Sequence, residues 1–188
     1  MASDKLVIGV TGMAGSGKST VVNIAKEKNY DIVIMGDEVR EEAKRRNLEP
    51  TPENLGKIML ELRQTAGEAV MAKRCIPKIE KAAKPKVIVD GIRSLAEVEE
   101  FKKHFQNFEL IAVYASPETR FKRVYRRMRS DDSSDWKVFR ERDIRELSVG
   151  LGNAISMAEH MIINEGTYEA TKAKAKEILG KVEGKWKK

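Results

Sequence analysis

The sequence predicts an α/β fold in which a parallel β-sheet carries helices on both faces. Five short apolar runs rich in β-branched residues recur, and they are almost continuously apolar, as strands covered on both faces are. Longer segments of helical composition separate the runs, which is typical of a parallel sheet wrapped by helices. The predicted strands cover residues 6–10, 31–35, 86–90, 110–114 and 160–164.

Composition is consistent with one domain over residues 1–188. Apolar residues make up 41% and charged residues 35%, so the chain can bury a sizeable core. The formal net charge of +7 fits a solvated surface, small polyanions or nucleic acid. The single cysteine, Cys75, excludes an internal disulfide and a cysteine-based zinc site. No signal peptide or apolar run of about 20 residues is visible, so we expect a cytoplasmic protein without a membrane span.

A phosphate-binding loop follows the first predicted strand. The segment 12–19 matches G-x-x-x-x-G-K-[ST] in full and opens a predicted helix, which is the context that a P-loop requires. Backbone N–H groups of such a loop converge on the phosphates, and the helix N-terminus adds positive charge. Lys18 is expected to reach the β- and γ-phosphates, and Ser19 to ligate Mg²⁺. The predicted ATP-binding residues here are Gly12, Met13, Ala14, Gly15, Ser16, Gly17, Lys18, Ser19 and Thr20.

Two further polar elements follow predicted strands, at the edge of the sheet where ligands bind in such folds. Segments 36–40 and 90–93 each couple an aspartate to an arginine three residues later. An arginine fork binds phosphate oxygens bidentately, so two forks facing a P-loop indicate a second phosphate site. Asp90, at the end of an apolar strand, is predicted to join Ser19 in holding Mg²⁺. For the first element, helix capping with surface charge is the alternative.

The interval 38–84 is longer than a simple crossover between strands. It is predicted to hold three helices, broken near Pro50 and Pro52 and again near Pro77. Insertions of this kind over a rigid sheet usually carry function.

The interval 117–159 is also long, and it is strongly basic. Its predicted elements are a helix over 117–129, a polar break at 130–134, a helix over 136–147 and a shorter helix after Gly152. Positions 120, 123 and 127 fall on one helical face. A face of arginines followed by a polar break suits a lid over about 120–147, and a solvated basic surface is the alternative. The arginines are Arg120, Arg123, Arg126, Arg127, Arg129, Arg140, Arg142 and Arg145.

Together these elements resemble the nucleoside-monophosphate kinase superfamily, and most closely an archaeal P-loop family described as related to adenylate kinases. The resemblance covers essentially the whole chain and implies a P-loop kinase fold with strand order 2-3-1-4-5. It implies that the counterparts of G-D-x-x-R and D-G-F-P-R hold the acceptor nucleotide, and that the interval of about 38–84 is the acceptor-binding insertion. It also implies that the loop after the last strand lines the donor adenine. The acceptor-binding residues so implied are Gly36, Asp37, Arg40, Asn54, Gly56, Arg63, Gly91, Arg93 and Glu97, and Asn164 and Gly166 join the ATP site.

The chain departs from the adenylate-kinase pattern at several points. The second element lacks its proline, Ala14 replaces a proline and Ser19 replaces a glycine. Glu97 aligns with a glutamine that pairs with the acceptor adenine, and an ionised carboxylate cannot donate a hydrogen bond to a ring nitrogen. Weaker selection for adenine, or a preference for guanine, would follow. A solvent-facing helix glutamate is the alternative.

The sequence therefore predicts Mg-ATP-dependent phosphoryl transfer to a nucleoside monophosphate, with AMP as first choice. Catalytic roles fall to Lys18, Asp37, Asp90, Arg123 and Arg127. Dephospho-CoA kinases share the layout and form one alternative, in which Asp37 is the base that a ribose hydroxyl needs. A regulatory or nucleic-acid-associated NTPase is another, favoured slightly by the basic tail. No RNA-binding signature is visible, so a nucleic-acid partner is not expected.

Overall fold

The sheet is parallel throughout and has the predicted strand order. The computed structural model describes residues 3–127 and 134–186. Neighbouring strands pair in parallel in the order β2-β3-β1-β4-β5. The predicted fold class and the order 2-3-1-4-5 are therefore confirmed. The strands are β1 (Ser3–Thr11), β2 (Asp31–Ile34), β3 (Lys86–Ile92), β4 (Phe105–Tyr114) and β5 (His160–Ile163).

Helices fill every crossover between these strands. The long crossover from β2 to β3 holds three of them, as predicted, and α8 follows α7 before the last strand. The final residues of the predicted helix over 117–129 and most of the predicted polar break lie outside the described residues. The helices are α1 (Lys18–Glu27), α2 (Met35–Arg45), α3 (Pro52–Ala66), α4 (Val70–Glu80), α5 (Leu95–His104), α6 (Pro117–Arg127), α7 (Trp136–Ser148), α8 (Leu151–Ser156) and α9 (Tyr168–Trp186).

The predicted helix break at Pro77 is wrong, because α4 runs through this residue. Proline lacks the N–H that would bond to the carbonyl four residues earlier, which normally weakens a helix. Cys75, Ile76 and Ile79 are buried around it, and this packing outweighs the lost bond. The real break lies at Gly67, whose φ of 88° ends α3 in a conformation that other residues rarely adopt.

Two hydrophobic cores hold the helices against the sheet. On one face, alternate strand residues such as Val7 and Val89 pack against α2, α3, α4 and α5. On the other face, residues such as Ile8 and Ile111 pack against α1 and α9. Both faces are therefore covered, which explains the continuous apolar runs. Within the described residues, no helix is long and apolar enough to cross a membrane.

The ends of three strands meet where the phosphate-binding loop begins. Asp90 lies in register with Val10 of β1 and with Ile34 of β2. Immediately after it, the register between β1 and β3 shifts, and Gly91 takes a φ of 100°. This irregularity is a bulge, after which β3 continues to Ile92 and pairs with Thr11. The sheet thus fixes Asp90 beside the start of the loop.

Candidate active site

The loop between β1 and α1 is packed so tightly that glycine is needed at its two ends. Gly12 and Gly17 have φ angles of 143° and 98°, which residues with a side chain rarely adopt. A Cβ at Gly12 would collide with the carbonyl oxygen of Val113, and one at Gly17 with the side-chain amide of Asn164. The ends of β4 and β5 therefore pack against the loop and fix its conformation.

Lys18 is the first residue of α1, and its side chain turns back onto the loop. Its ammonium group donates to the carbonyl oxygens of Gly12, at 2.7 Å, and Met13, at 3.2 Å. Burial lowers the pKa of Lys18, and the carboxylates of Asp90 and Glu146 oppose this shift. Lys18, Asp90 and Glu146 line the same cleft.

The residues present fit a magnesium ion shared with nucleotide phosphates. One carboxylate oxygen of Asp90 is buried and makes no hydrogen bond, which is costly unless a ligand completes the site. Ser19 is exposed and lines the same cleft as Asp90. Among the described residues, no group of three or more His, Cys, Asp or Glu side chains could hold a metal. Mg²⁺ typically uses one or two protein ligands together with substrate phosphates, so this donor set suits it.

Two cavities meet in front of the loop. The larger, of about 520 Å³, has the loop, Lys18 and Ser19 as its floor, and its walls include Asp90, Arg123 and Arg127. The smaller, of about 120 Å³, is lined by the apolar side chains of Val39, Pro52, Leu55 and Met59 and by five charged residues, four of which are arginines. The predicted residue Gly56 also lines the smaller cavity. Both cavities share a wall made of Gly36, Arg40, Arg93, Arg142 and Glu146.

The shared wall concentrates positive charge around one buried carboxylate. Glu146, with 11% of its side chain exposed, accepts from Arg142 Nε at 3.4 Å and lies 4.0 Å from Arg93 Nη2. Burial alone would raise the pKa of Glu146, but Arg93, Arg142 and Lys18 outweigh it and hold the pKa below its usual range. Glu146 is not among the residues predicted from the sequence. Its i, i+4 spacing from Arg142 was the available signal.

The three arginines predicted on one face of α6 have different surroundings. Arg120 is buried, and its guanidinium binds both carboxylate oxygens of Asp143 at 2.9 and 2.6 Å. It also donates to the carbonyl oxygen of Ala14 at 3.1 Å, so it joins α6, α7 and the phosphate loop. Arg123 and Arg127 line the cleft as predicted, whereas Arg120 has a structural role.

Arg123 is anchored between the loop and the end of β5. Its Nη2 donates to the backbone and side-chain oxygens of Asn164 at 2.9 and 3.2 Å, and Nη1 lies 3.5 Å from the carbonyl oxygen of Ser16. The Asn164 side chain donates to Ser16 at 2.9 Å and accepts from Thr171 at 2.8 Å. Asn164 therefore joins β5 to the loop, and its side chain does not line the cleft. Gly166, also predicted for adenine binding, is exposed outside the cleft lining.

Glu97 and Arg63 line neither of the two cavities in front of the loop. Glu97 is fully buried and accepts the backbone N–H groups of Arg93, at 2.7 Å, and Ser94, at 3.2 Å. Its other oxygen binds Arg63 at 2.5 Å. The carboxylate thus completes the capping box of α5, and these bonds replace the predicted contact with a base. Arg63 lines a separate cavity behind α3.

Two further predicted acceptor residues also lie outside the cleft. Asp37 is half-exposed, pairs with Arg40 at 2.7 Å, and lines a separate open depression with Glu38 and Lys78. Asn54 is partly buried in the first turn of α3, where its side chain donates to the carbonyl oxygen of Glu49 at 2.9 Å. The structure therefore gathers Gly36, Arg40, Gly56, Gly91 and Arg93 at the site, but not Asp37 or Asn54.

Fold and cleft define a P-loop nucleotide-binding protein. A protein-family model described as an AAA domain matches residues 11–140. A UPF0200 protein of Hyperthermus butylicus is 46% identical over 180 residues, which cover 96% of each chain. Another, from Methanocaldococcus jannaschii, is 50% identical over 166 residues, or 87% of this chain and 84% of the relative. The chain belongs to the UPF0200 family, and its resemblance to an archaeal P-loop family is confirmed.

Solved structures show the same fold at low identity. A shikimate kinase from Bacteroides thetaiotaomicron has a TM-score of 0.59 and 16% identity, covering 93% of this chain and 98% of the other. A gluconokinase from Sinorhizobium meliloti has a TM-score of 0.55 and 11% identity, covering 97% and 95%. The P-loop kinase fold is therefore common to all three chains.

Proposed function

We propose that this chain is a Mg-ATP-dependent phosphotransferase whose acceptor is a nucleoside monophosphate, with AMP as first choice. The observation that carries the proposal is the arginine wall shared by the two cavities. The P-loop cleft suits the triphosphate of ATP, and the smaller cavity offers apolar side chains for a base. An acceptor phosphate would lie between them, beside Arg40 and Arg93.

The roles of the donor site follow from the loop geometry. Lys18 and the loop N–H groups bind the β- and γ-phosphates, and Lys18 leaves its carbonyl partners to do so. Ser19 and Asp90 would hold Mg²⁺, which neutralises charge on the phosphates when bound. Arg123 and Arg127 face the cleft from α6 and stabilise charge on the transferring phosphoryl group.

Acceptor chemistry favours a monophosphate over a hydroxyl. A phosphate oxygen is already an anion near pH 7 and needs no base, whereas a hydroxyl must lose a proton. Asp37, the candidate base for a dephospho-CoA kinase, pairs with Arg40 and does not line the cleft. Arginine forks at the shared wall suit phosphate oxygens directly.

A phosphoryl-transfer panel tests the proposal. ADP formation from Mg-ATP is measured alone and with AMP, CMP, UMP, GMP or dephospho-CoA, and Lys18→Ala controls for contaminating kinases. We expect acceptor-dependent ADP formation with the highest kcat/KM for AMP. Hydrolysis at a rate that no acceptor changes would overturn the proposal in favour of an NTPase. A preference for dephospho-CoA would reassign the acceptor to a hydroxyl.

A further inference from the structure

Glu146 is an acidic residue in a wall that otherwise suits anions. It belongs to α7 and contacts Arg142 of the same helix and Arg93 of the loop after β3, and Lys18 of α1 lines the same cleft. An ion pair that only stabilised α7 would need only Arg142, which lies one helical turn from Glu146. The convergence of all three cations on one carboxylate marks a position built for an anion.

We propose that Glu146 is an internal anion that occupies the acceptor-phosphate subsite until the phosphate of the substrate displaces it. The inference rests on the proposed function, because it takes Arg93 as a ligand of the acceptor phosphate. The Glu146 carboxylate lies 4.0 Å from the Arg93 guanidinium, so its negative charge offsets the charge of Arg93 and repels an incoming phosphate. Glu146 therefore competes with every anion that enters the wall.

The observed distances fit a contact that a substrate can displace. Arg93 Nη2 is 4.0 Å from the Glu146 carboxylate, too far for a hydrogen bond, so charge alone holds the pair. The 3.4 Å contact from Arg142 Nε is also long. A phosphate that approaches closely would gain bidentate bonds that Glu146 does not make.

As a consequence, only a ligand with further contacts binds tightly at the acceptor-phosphate subsite. Competition weakens all anions at this subsite by a similar factor, so it does not by itself change their ranking. Inorganic phosphate has no base to place in the smaller cavity, so this competition leaves its binding at the subsite the weakest. A nucleotide keeps the additional affinity of its base for the apolar side chains of the smaller cavity, among them Val39, Leu55 and Met59, and remains bound.

Isothermal titration calorimetry without ATP tests this inference. Inorganic phosphate and AMP are titrated into the wild type, Glu146→Gln, Glu146→Asp and the control Glu141→Gln, which alters an exposed residue of the same helix. We expect Glu146→Gln to bind both ligands about tenfold more tightly, as removal of one competing charge should allow. Glu146→Asp should lie between Glu146→Gln and the wild type, and Glu141→Gln should match the wild type.

If the affinities for inorganic phosphate and AMP stay unchanged or fall in a folded Glu146→Gln protein, the inference is overturned. Glu146 would then only stabilise α7. Thermal melts establish whether each variant folds. If Glu146→Gln does not fold, Glu146→Asp decides the question, because it too should bind both ligands more tightly than the wild type. The phosphate titration needs no catalysis. If Glu146→Gln binds phosphate more tightly while the wild type transfers no phosphoryl group, the competition at the anion subsite is confirmed and only the proposed function fails.

Discussion

Lys18 is the residue whose loss should cost most in catalysis. Its ammonium group sits at the loop floor beside Asp90, positioned to meet the phosphates. Removing one such charge from the phosphate site costs several kcal/mol in the transition state, so Lys18→Ala should lower kcat by about 10³-fold. Steady-state kinetics and a thermal melt check this. A folded variant with near-normal turnover would contradict the assignment.

Arg40 and Arg93 should act on the acceptor rather than on ATP. Both line the shared wall, so alanine at either position should raise the acceptor KM roughly tenfold or more with little change in ATP affinity. Separate titrations of ATP and acceptor measure this, with Lys44→Ala as a charge-matched control on the exposed side of α2. A selective loss of ATP binding would place these arginines in the donor site.

Single residues show where sequence reasoning succeeds and fails. The P-loop was predictable because its spacing encodes a local conformation. Glu97 was misassigned although Ser94 and Glu97 form the S-x-x-E pattern of a capping box, which local chemistry alone explains. Glu146 and Asp143 escaped prediction because periodicity does not reveal which side of α7 faces the cleft.

At the scale of elements, α6 and α7 are joined by one buried ion pair. Arg120 and Asp143 are both almost fully buried, and two hydrogen bonds join the guanidinium to the carboxylate. Asp143→Asn leaves the buried guanidinium without its counter-charge, so the free energy of unfolding should fall by about 3–5 kcal/mol. Denaturant titration measures this against Glu141→Gln, which should change little. A loss below roughly 1 kcal/mol would mean that water or another group replaces the pair.

Helix α2 carries a second charge cluster with a pH signature. Bonds from Arg46 and Arg74 lower the pKa of Glu42 from 4.5 to about 2, so its stabilisation is present above pH 4.5 and is lost as pH falls towards 2. Because water screens the partly exposed arginines, we expect roughly 1–2 kcal/mol. Glu42→Gln should lower stability at pH 7 and flatten the acid limb of the stability curve, whereas Glu80→Gln should not. Parallel curves for Glu42→Gln and wild type would contradict this.

For the whole molecule, the net charge of +7 is not evidence for a basic arm. Helix α9 packs its buried residues onto the sheet, and Glu183 pairs with Lys28 at 3.0 Å and Lys86 at 2.8 Å. Lys185 pairs with Glu109 at 2.9 Å, so the described part of the tail is tied to the body. The fold was predictable because its apolar runs are local, whereas these long-range pairs leave no sequence pattern.

The two cavities together predict a ligand that bridges them. They meet at a wall of five shared residues, so a dinucleoside polyphosphate could place one nucleoside in each cavity. A second site bound through a linker adds affinity without new contacts, because binding becomes intramolecular. A diadenosine pentaphosphate should therefore bind roughly 10²-fold more tightly than ATP, and the diphosphate should not. In Arg93→Ala the bridging ligand should lose this advantage while ATP affinity persists. Calorimetry of the three ligands decides the matter, because equal affinities for pentaphosphate and ATP would show that the cavities are not occupied together.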